Sequence, residues 1–560
     1  MSAIHFDQIQ GNIFGGFSKD HAAFILLEIN DPAAARAALN PGPSAKPNIV
    51  KDTEESSSKE VLRFNAQFKA LRRQGVPEGS ISATWTNVVF TASGLKKLNV
   101  PGSNSFPKAF LEGMAARADY LGDTGDSAPD CWNNLPDQPK PDRSKPNWSK
   151  IDLMILVASD DESQVSETAG TSGRLSTYLT KLFDSSSGLT VLGVIHGETR
   201  EDQAGHEHFG FKDGVSQPGI RGVTPSDEPV ANPNQGNPGQ DLLHPGEFVI
   251  GYPRQIPSAR EGVDGPNPDP GVIAGQNFYD SDPAESRVAL PAWADHGSFL
   301  VFRRLAQDVH AFRSYVTETA TQLGISPELF GAKLVGRYAS GAPLQKPKYF
   351  AGSTSWPPLT DPATFNPDLA DSDSLNNDFE YDDDQDIITV PRAAHIRKAY
   401  PRNQVPQQEA GIMNPAGDDD SEAESRTQTH RLLRRGIPFG KSLWAPDGGG
   451  LDDPRGLLFF AYQSDIARQF EFVQHSWVND ADFPQPGDGK DPIIAQDPTP
   501  SPISGCPFHV TQKAGTCPVD IKRFVKTRGG AYFFSPSIDA LKDLLAPDRV
   551  ASMKVARAAV

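Results

Sequence analysis

Chemistry-bearing residues are densest in Gly205–Pro218, which reads Gly-His-Glu-His-Phe-Gly-Phe-Lys-Asp-Gly-Val-Ser-Gln-Pro. His206 and His208, spaced two apart around Glu207, would share one face of a strand and could hold a metal ion there. The same spacing also suits a surface loop. Downstream, Gly210 and Gly214 bracket Asp213 with residues that tolerate tight turns, so the backbone can aim this carboxylate into a pocket; Asp213 could equally be a plain turn-former. A second segment, Ala393-Ala-His395-Ile-Arg397-Lys-Ala-Tyr-Pro-Arg402, sets a histidine among small residues. Such an imidazole can ligate a metal or a haem iron, with Arg397 and Arg402 at hand for carboxylates, or it can pack half-buried in a helix. A third segment, His430-Arg-Leu-Leu-Arg434-Arg435-Gly-Ile-Pro-Phe-Gly440, brings two guanidiniums into a Gly/Pro turn, suited to an anion or to solvent. Glu380–Asp386 resembles half a calcium loop but lacks the central Gly and closing Glu. The chain has no phosphate-binding Gly-rich loop, no His-Glu-x-x-His and no Gly-x-Ser-x-Gly elbow.

The elements that must position these residues read as mixed strands and helices. Ala22–Ile29, Trp85–Phe90, Ile151–Ala158 and Leu189–Ile195 have strand character; Ser58–Arg73 and Glu162–Leu182 have helical periodicity. Ser93 is expected to cap a short helix, Gly94–Leu98. This order matches a ferredoxin-like unit. A similar cadence restarts with the strand Ser298–Arg303 and helix Ala306–Leu323, then the strand Gly456–Tyr462 and helix Asp465–Val473. The expected fold class is therefore α+β, two ferredoxin-like domains of antiparallel sheet with helices, joined through a loop-rich region around 220–290. The expected division is 1–245, carrying Asp213, and 246–560.

Composition narrows the function. The 560 residues leave room for about two to four domains. A formal charge of −18 disfavours nucleic acid, the densest basic cluster being Arg431–Arg435. Gly and Pro, 49 each, exceed average usage and predict long irregular loops. The most apolar windows, Ile151–Ala158 and Leu457–Tyr462, have strand length, far short of the ~18–20 residues of a membrane span. The N-terminal stretch lacks the pattern of a signal peptide. Three cysteines, Cys131, Cys506 and Cys517, exclude a disulfide framework; a Cys506–Cys517 bridge and reduced thiols both fit.

Taken in order, Gly210-x-x-Asp213-Gly214-Val-Ser-Gln-Pro, Ala-His395-Ile-Arg-Lys, Leu-Leu-Arg434-Arg-Gly-Ile-Pro-Phe-Gly and Arg455-Gly-Leu-Leu-Phe-Phe-Ala-Tyr-Gln-Ser464 resemble the dye-decolorizing peroxidases. The opening Gln8-Ile-Gln-Gly-Asn-Ile and the closing Arg528–Ile538 are similar to the longer fungal-type branch. The resemblance spans nearly the whole chain.

That resemblance implies two ferredoxin-like domains holding one haem b per chain, mainly in the second. It implies His395 as the proximal iron ligand, with Asp491 as the carboxylate on its other nitrogen and Asp465 in reserve. It implies Asp213 as the group that moves the peroxide proton, and Arg434 as the cation that stabilises charge as the O–O bond splits; Arg435 and Arg431 are the neighbours a shift of register would substitute. Leu457 and Phe459 would narrow the pocket to small peroxides, and Arg397 would pair with a haem propionate. Bulky phenols and anthraquinone-type dyes would then be oxidised from the surface, with Trp477 as the radical-forming candidate. Phe439 stands where some members have a redox tyrosine, and an acidic insert, Pro406–Arg426, lengthens the interval from His395 to Arg434. A free aspartate titrates near ~3.9, well below the ~6.5 of histidine, so a carboxylate base implies activity favouring acid. The expected partners are H2O2 and aromatic small molecules, not nucleic acid or membrane, with a monomer or weak homodimer and an extracellular setting. A haem carrier or iron-releasing protein on the same scaffold is the alternative, and a non-haem module using His206 and His208 a further one.

Overall fold

Unbroken apolar runs mark the strands of this chain, as expected where a sheet is covered on both faces. The computed structural model describes residues 3–553 except 43, 78–80, 133–146, 169–171, 225–235, 256–276, 279–287, 346–359, 382–388, 403, 405–426, 445–448, 452, 497–520, 547–548 and 550–552. Nine strands form its principal sheet: β1 (His21–Ile29), β2 (Thr84–Phe90), β3 (Leu153–Ser159), β4 (Leu189–Glu198), β5 (Ser298–Gln307), β6 (Leu433–Arg434), β7 (Ile437–Phe439), β8 (Gly456–Gln463) and β9 (Val525–Ser535). The order is β6-β8-β5-β9-β2-β3-β1-β4, with β7 also on β8, and the pairings are antiparallel. The two halves of the strand order join through one pair, Phe534 opposite Phe90. Their far ends meet as well. A Cβ on Gly197 of β4 would fall 2.4 Å from Ile437 of β7, so only glycine lets the edges approach this closely. Phe24 of β1 packs at 5.1 Å on Phe302 of β5 and at 5.3 Å on Phe460 of β8, tying both halves into one apolar core.

The helices are α1 (Ser58–Arg73), α2 (Ala92–Lys97), α3 (Arg174–Lys181), α4 (Val309–Leu323), α5 (Pro327–Val335) and α6 (His395–Ala399). Three expectations are corrected. The helix expected over Glu162–Leu182 is a short 3-10 turn, Glu162–Val165, and then α3; the Ser/Thr/Gly-rich stretch between them favours turns over helix. The helix expected from Asp465 consists of two π-helical segments, Ile466–Glu471 and Val473–Val478. Thr91, not Ser93, caps α2, its Oγ1 accepting from the Gly94 N–H at 3.1 Å. Ser93 instead donates to Asp152 at 2.8 Å. No described helix is long and apolar enough to cross a membrane. Cys506, Cys517, most of the acidic run after Glu380, most of the 406–426 insert and much of the 220–290 connection lie outside the described residues.

Asp152 is the polar hub between β1, β3 and α2. Its buried carboxylate accepts from the Ile29 N–H at 2.7 Å, from Ser93 and from Lys97 Nζ at 2.6 Å. Asp152→Ala would leave a buried N–H and an ammonium without their acceptor. It should cost about 3 kcal/mol, read as a lower urea midpoint.

His206 and His208 do not form a metal site. His208 is buried, with Nε2 at 2.9 Å from the Phe439 carbonyl of β7, while Nδ1 of His206 lies 2.9 Å from the Ala204 carbonyl. Among the described residues no three His, Cys, Asp or Glu side chains cluster as metal ligands. Burial pushes the His208 imidazole down to about 4, its bond to the Phe439 carbonyl opposing only in part. The native state thus resists a proton that the unfolded chain accepts near ~6.5. Stability from this group is complete above about pH 6.5 and is lost as the pH falls toward 4, by up to roughly 3 kcal/mol. His208→Gln keeps a donor for Phe439 without titrating, so its unfolding free energy should fall less than wild type's between pH 7.5 and 4.5 in urea titrations.

Candidate active site

One cavity gathers the residues singled out from the sequence. It offers about 260 Å3 to the centres of water-sized molecules, and Asp213, His395, Arg434, Leu457 and Phe459 all line it. Each is placed by a local feature of the chain. Asp213 follows a turn in which Gly210 and, just after it, Gly214 adopt φ of 101° and 74°, the left-handed region that glycine tolerates. Buried Glu207 braces that turn, its carboxylate accepting the Phe209 and Phe211 N–H groups at 2.8 Å each. Burial drives the Glu207 carboxyl above its usual range, although Gln307 and those N–H groups favour its charged form.

Arg434 ends β6 and reaches Asp213 Oδ1 at 3.4 Å while donating to the Ser216 carbonyl at 2.8 Å. Gln217 fixes the Arg434 backbone from both sides: its Nε2 donates to the Arg434 carbonyl at 3.1 Å and its Oε1 accepts the Arg434 N–H at 3.3 Å. Arg435 turns the other way, onto the carbonyls of Asn12 and Ile13. Arg431 lines the cavity but lies 3.6 Å from Asp241 and over the Tyr400 ring. The register therefore brings Arg434 to Asp213. Alternation along β8 turns Leu457 and Phe459 to the cavity and packs Leu458 and Phe460 into the core.

His395 opens α6, and its Nδ1 lies 2.8 Å from Asp491 Oδ2. The other oxygen of buried Asp491 accepts the Ile493 and Ile494 N–H groups at 2.7 and 2.9 Å. Burial alone would lower the His395 pKa; the charge of Asp491 and its hydrogen bond more than offset this and hold it above the usual value. With Nδ1 committed, Nε2 is the nitrogen left for a ligand. Asp465 does not compete: it caps the first π-helical segment through the Arg468 N–H and lies 4.0 Å from Arg254.

Two expected residues are placed differently. Arg397 does not line the cavity; its guanidinium packs over Tyr381 and donates to Gln404 and the Val390 carbonyl. On an α6 that starts with His395 at the cavity, a residue two positions on faces elsewhere. Trp477 is 1% exposed, stacked on Phe483 at 5.5 Å and edge-on to His430 at 5.1 Å, so it is not a surface residue.

The sequence reading also passed over several lining residues: Gln217, Glu207, Arg337 and His430. Arg337 and Arg402 both line the cavity while buried, and both donate to Asn377 Oδ1, at 3.3 and 3.0 Å. Among the described residues neither has a carboxylate within ion-pair distance, Glu380 acting on Arg402 only from further away. Burial, with the charge of Arg402 beside it, pushes Arg337 down to about 9. Arg402 was within reach of sequence reasoning, seven residues after His395; Arg337 carries no local signal.

Known proteins bear on this geometry. The family model for the DyP dimeric alpha+beta barrel domain matches residues 8–200. The dye-decolorizing peroxidase msp1 of Mycetinis scorodonius is 29% identical over 97% of this chain and 88% of its own length. Among solved structures, an ancestral D-type dye decolorizing peroxidase is 30% identical, with a TM-score of 0.69 over 97% of this chain and all of the other. A dye-decolorizing peroxidase in complex with 2,6-dimethoxyphenol is 26% identical, with a TM-score of 0.65 over the same shares. Through this likeness in fold and in sequence along nearly its whole length, the chain belongs to the dye-decolorizing peroxidases, and it is a peroxidase.

Proposed function

We propose that this chain holds one haem b, mainly through its part after residue 246, and uses it to reduce H2O2 while oxidising bulky phenols and anthraquinone-type dyes in acidic medium. The observation that carries the reading is His395, with Nδ1 locked to Asp491 and its ring at the wall of a cavity that Asp213 and Arg434 also line. The donor set fits the group. A neutral imidazole oriented by a carboxylate suits iron, apolar Leu457, Phe459, Ile396, Ile493 and Ile494 suit a porphyrin face, and Arg337 and Arg402 suit propionates. Buried guanidiniums without a counter-charge are costly, so an anionic cofactor answers a need these residues create.

When bound, haem supplies an iron centre at which peroxide can accept two electrons. The protein's own part is proton and charge handling. A carboxylate oxygen of Asp213 takes the proton from one peroxide oxygen and returns it to the departing one, so that water leaves. Arg434, permanently cationic and 3.4 Å from Asp213, stabilises negative charge on the separating oxygens. Asp491 keeps His395 oriented and raises its basicity as a ligand. Leu457 and Phe459 leave space for a small peroxide and not for a dye, so dye electrons arrive from outside the cavity. The solved relative in complex with 2,6-dimethoxyphenol supports phenols as a substrate class. The likeness to fungal relatives supports an extracellular setting.

Two outcomes test the reading. Asp213→Asn should slow the stopped-flow reaction with H2O2 by about 100- to 10,000-fold, the range of general acid–base catalysis, while retaining the Soret band; His395→Ala should lose the band or shift it. The rate profile for phenols and dyes should peak below pH 7, because a carboxylate base stays ionised where an imidazole base would be protonated. A peak above neutrality for both substrate types counts against Asp213 as the base.

A further inference from the structure

Resting on the haem-peroxidase reading above, we propose that the exposed stack of Tyr120 on His475 is the surface site at which bulky aromatic substrates deliver electrons, which then pass inward by way of Trp477. Trp477 cannot itself meet a dye, being 1% exposed, so any path through it needs an exposed partner. Among the described residues only two redox-capable rings are more than a third exposed: Tyr120 at 41% and Trp444 at 46%.

Their surroundings differ. Trp444 carries the Arg313 guanidinium on its face at 3.8 Å, and Arg313 has no acidic partner among the described residues, its guanidinium donating to the Phe209 carbonyl. An uncompensated positive charge opposes removal of an electron from the ring beneath it. Trp444 also has no ring neighbour among the described residues through which to pass a hole. Tyr120 lies flat on His475, with centroids 4.1 Å apart and planes 3° apart. Its nearby cation, Arg117, sits 5.3 Å from the ring but is clamped by both oxygens of Glu471, at 2.6 and 2.7 Å, and by Glu112 at 2.8 Å. The local charge is thus neutral to negative, which eases oxidation.

The stack also leads inward. His475 and Trp477 belong to the same π-helical segment, Val473–Val478, whose Val473 and Gln474 line the cavity. Trp477 meets the cavity-lining His430 at 5.1 Å. Asn479 donates to the Leu121 carbonyl at 2.8 Å, pinning the Tyr120 turn to this segment.

The step balances with the peroxidase activity. Tyr120 gives one electron inward and its phenolic proton to solvent, becoming a neutral phenoxyl. A substrate phenol then gives it one electron and one proton, restoring tyrosine and leaving the substrate radical. Two such turns supply the two electrons that reduce one H2O2 to two waters.

The experiment uses the haem-loaded full chain with H2O2 and the nitroso spin trap 2-methyl-2-nitrosopropane, followed by peptide mass spectrometry. The adduct should map to Tyr120 and vanish in Tyr120→Phe. That variant should lose at least 10-fold in kcat/KM for a large anthraquinone dye while reacting with H2O2 at the wild-type rate, and Tyr120→Trp should restore part of the loss. Trp444→Phe should stay within two-fold of wild type. An adduct elsewhere, unchanged dye turnover in Tyr120→Phe, or loss in Trp444→Phe instead would overturn the assignment and leave the peroxidase reading intact. Failure of the wild-type, haem-loaded chain to react with H2O2 would overturn both.

Discussion

Asp491 is the residue on which the arrangement of the cavity turns. A carboxylate that is buried and still charged must be fully hydrogen-bonded, and this one is: two backbone N–H groups hold one oxygen and the His395 imidazole holds the other. Because the segment 491–494 folds around that carboxylate, the imidazole has one orientation. Nδ1 is committed inward, and the remaining nitrogen is offered to the cavity. Everything else at the site is arranged about that nitrogen, from the α5 and α6 residues that share its wall to β8, whose alternation supplies Leu457 and Phe459.

The second constraint is that the cavity draws on widely separated parts of the chain. Asp213 comes from a turn after β4, Arg434 from β6 and His395 from α6. They can be held to a few ångströms only because the sheet joins both halves of the chain at Phe534 and Phe90 and closes its other edge at Gly197. The core pairs of Phe24 with Phe302 and Phe460 make that junction apolar and rigid. The Gln217–Arg434 clamp then sets the last degree of freedom, the position of β6 against the Asp213 turn.

This division explains what could be read in the sequence. Strand β1 and helix α1 were legible because their patterns are long and local, and the motif around Asp213 was legible because glycine at positive φ is a local necessity. The helix expected over Glu162–Leu182 failed because apolar periodicity persisted through a Ser/Thr/Gly stretch that cannot sustain a helix. Arg397 and Arg402 were indistinguishable by composition, and which one lines the cavity depends on the rotation of α6 and the turn after it. The burial of Trp477 was illegible, since Phe483, which covers it, comes from a separate turn. Arg337 joins the cavity only through tertiary packing of α5.

The charge of the chain gains meaning from the same geometry. A formal −18 is spread over the molecule, yet Arg303, Arg337, Arg402, Arg431 and Arg434 line one cavity. An anionic cofactor is therefore attracted where the rest of the molecule would repel it, and low-dielectric walls strengthen that attraction. Hydrogen peroxide is neutral and insensitive to either field. A sulfonated dye is not: it must approach an acidic surface, and its approach eases as acid neutralises surface carboxylates. Acidity thus favours the encounter with substrate by a route separate from the protonation chemistry of the cavity. The opposing limit comes from buried neutral imidazoles such as His208, held down at about 4, whose burial the fold sustains only while they remain unprotonated. The usable acid range lies between these two effects, one electrostatic at the surface and one a matter of desolvation in the interior.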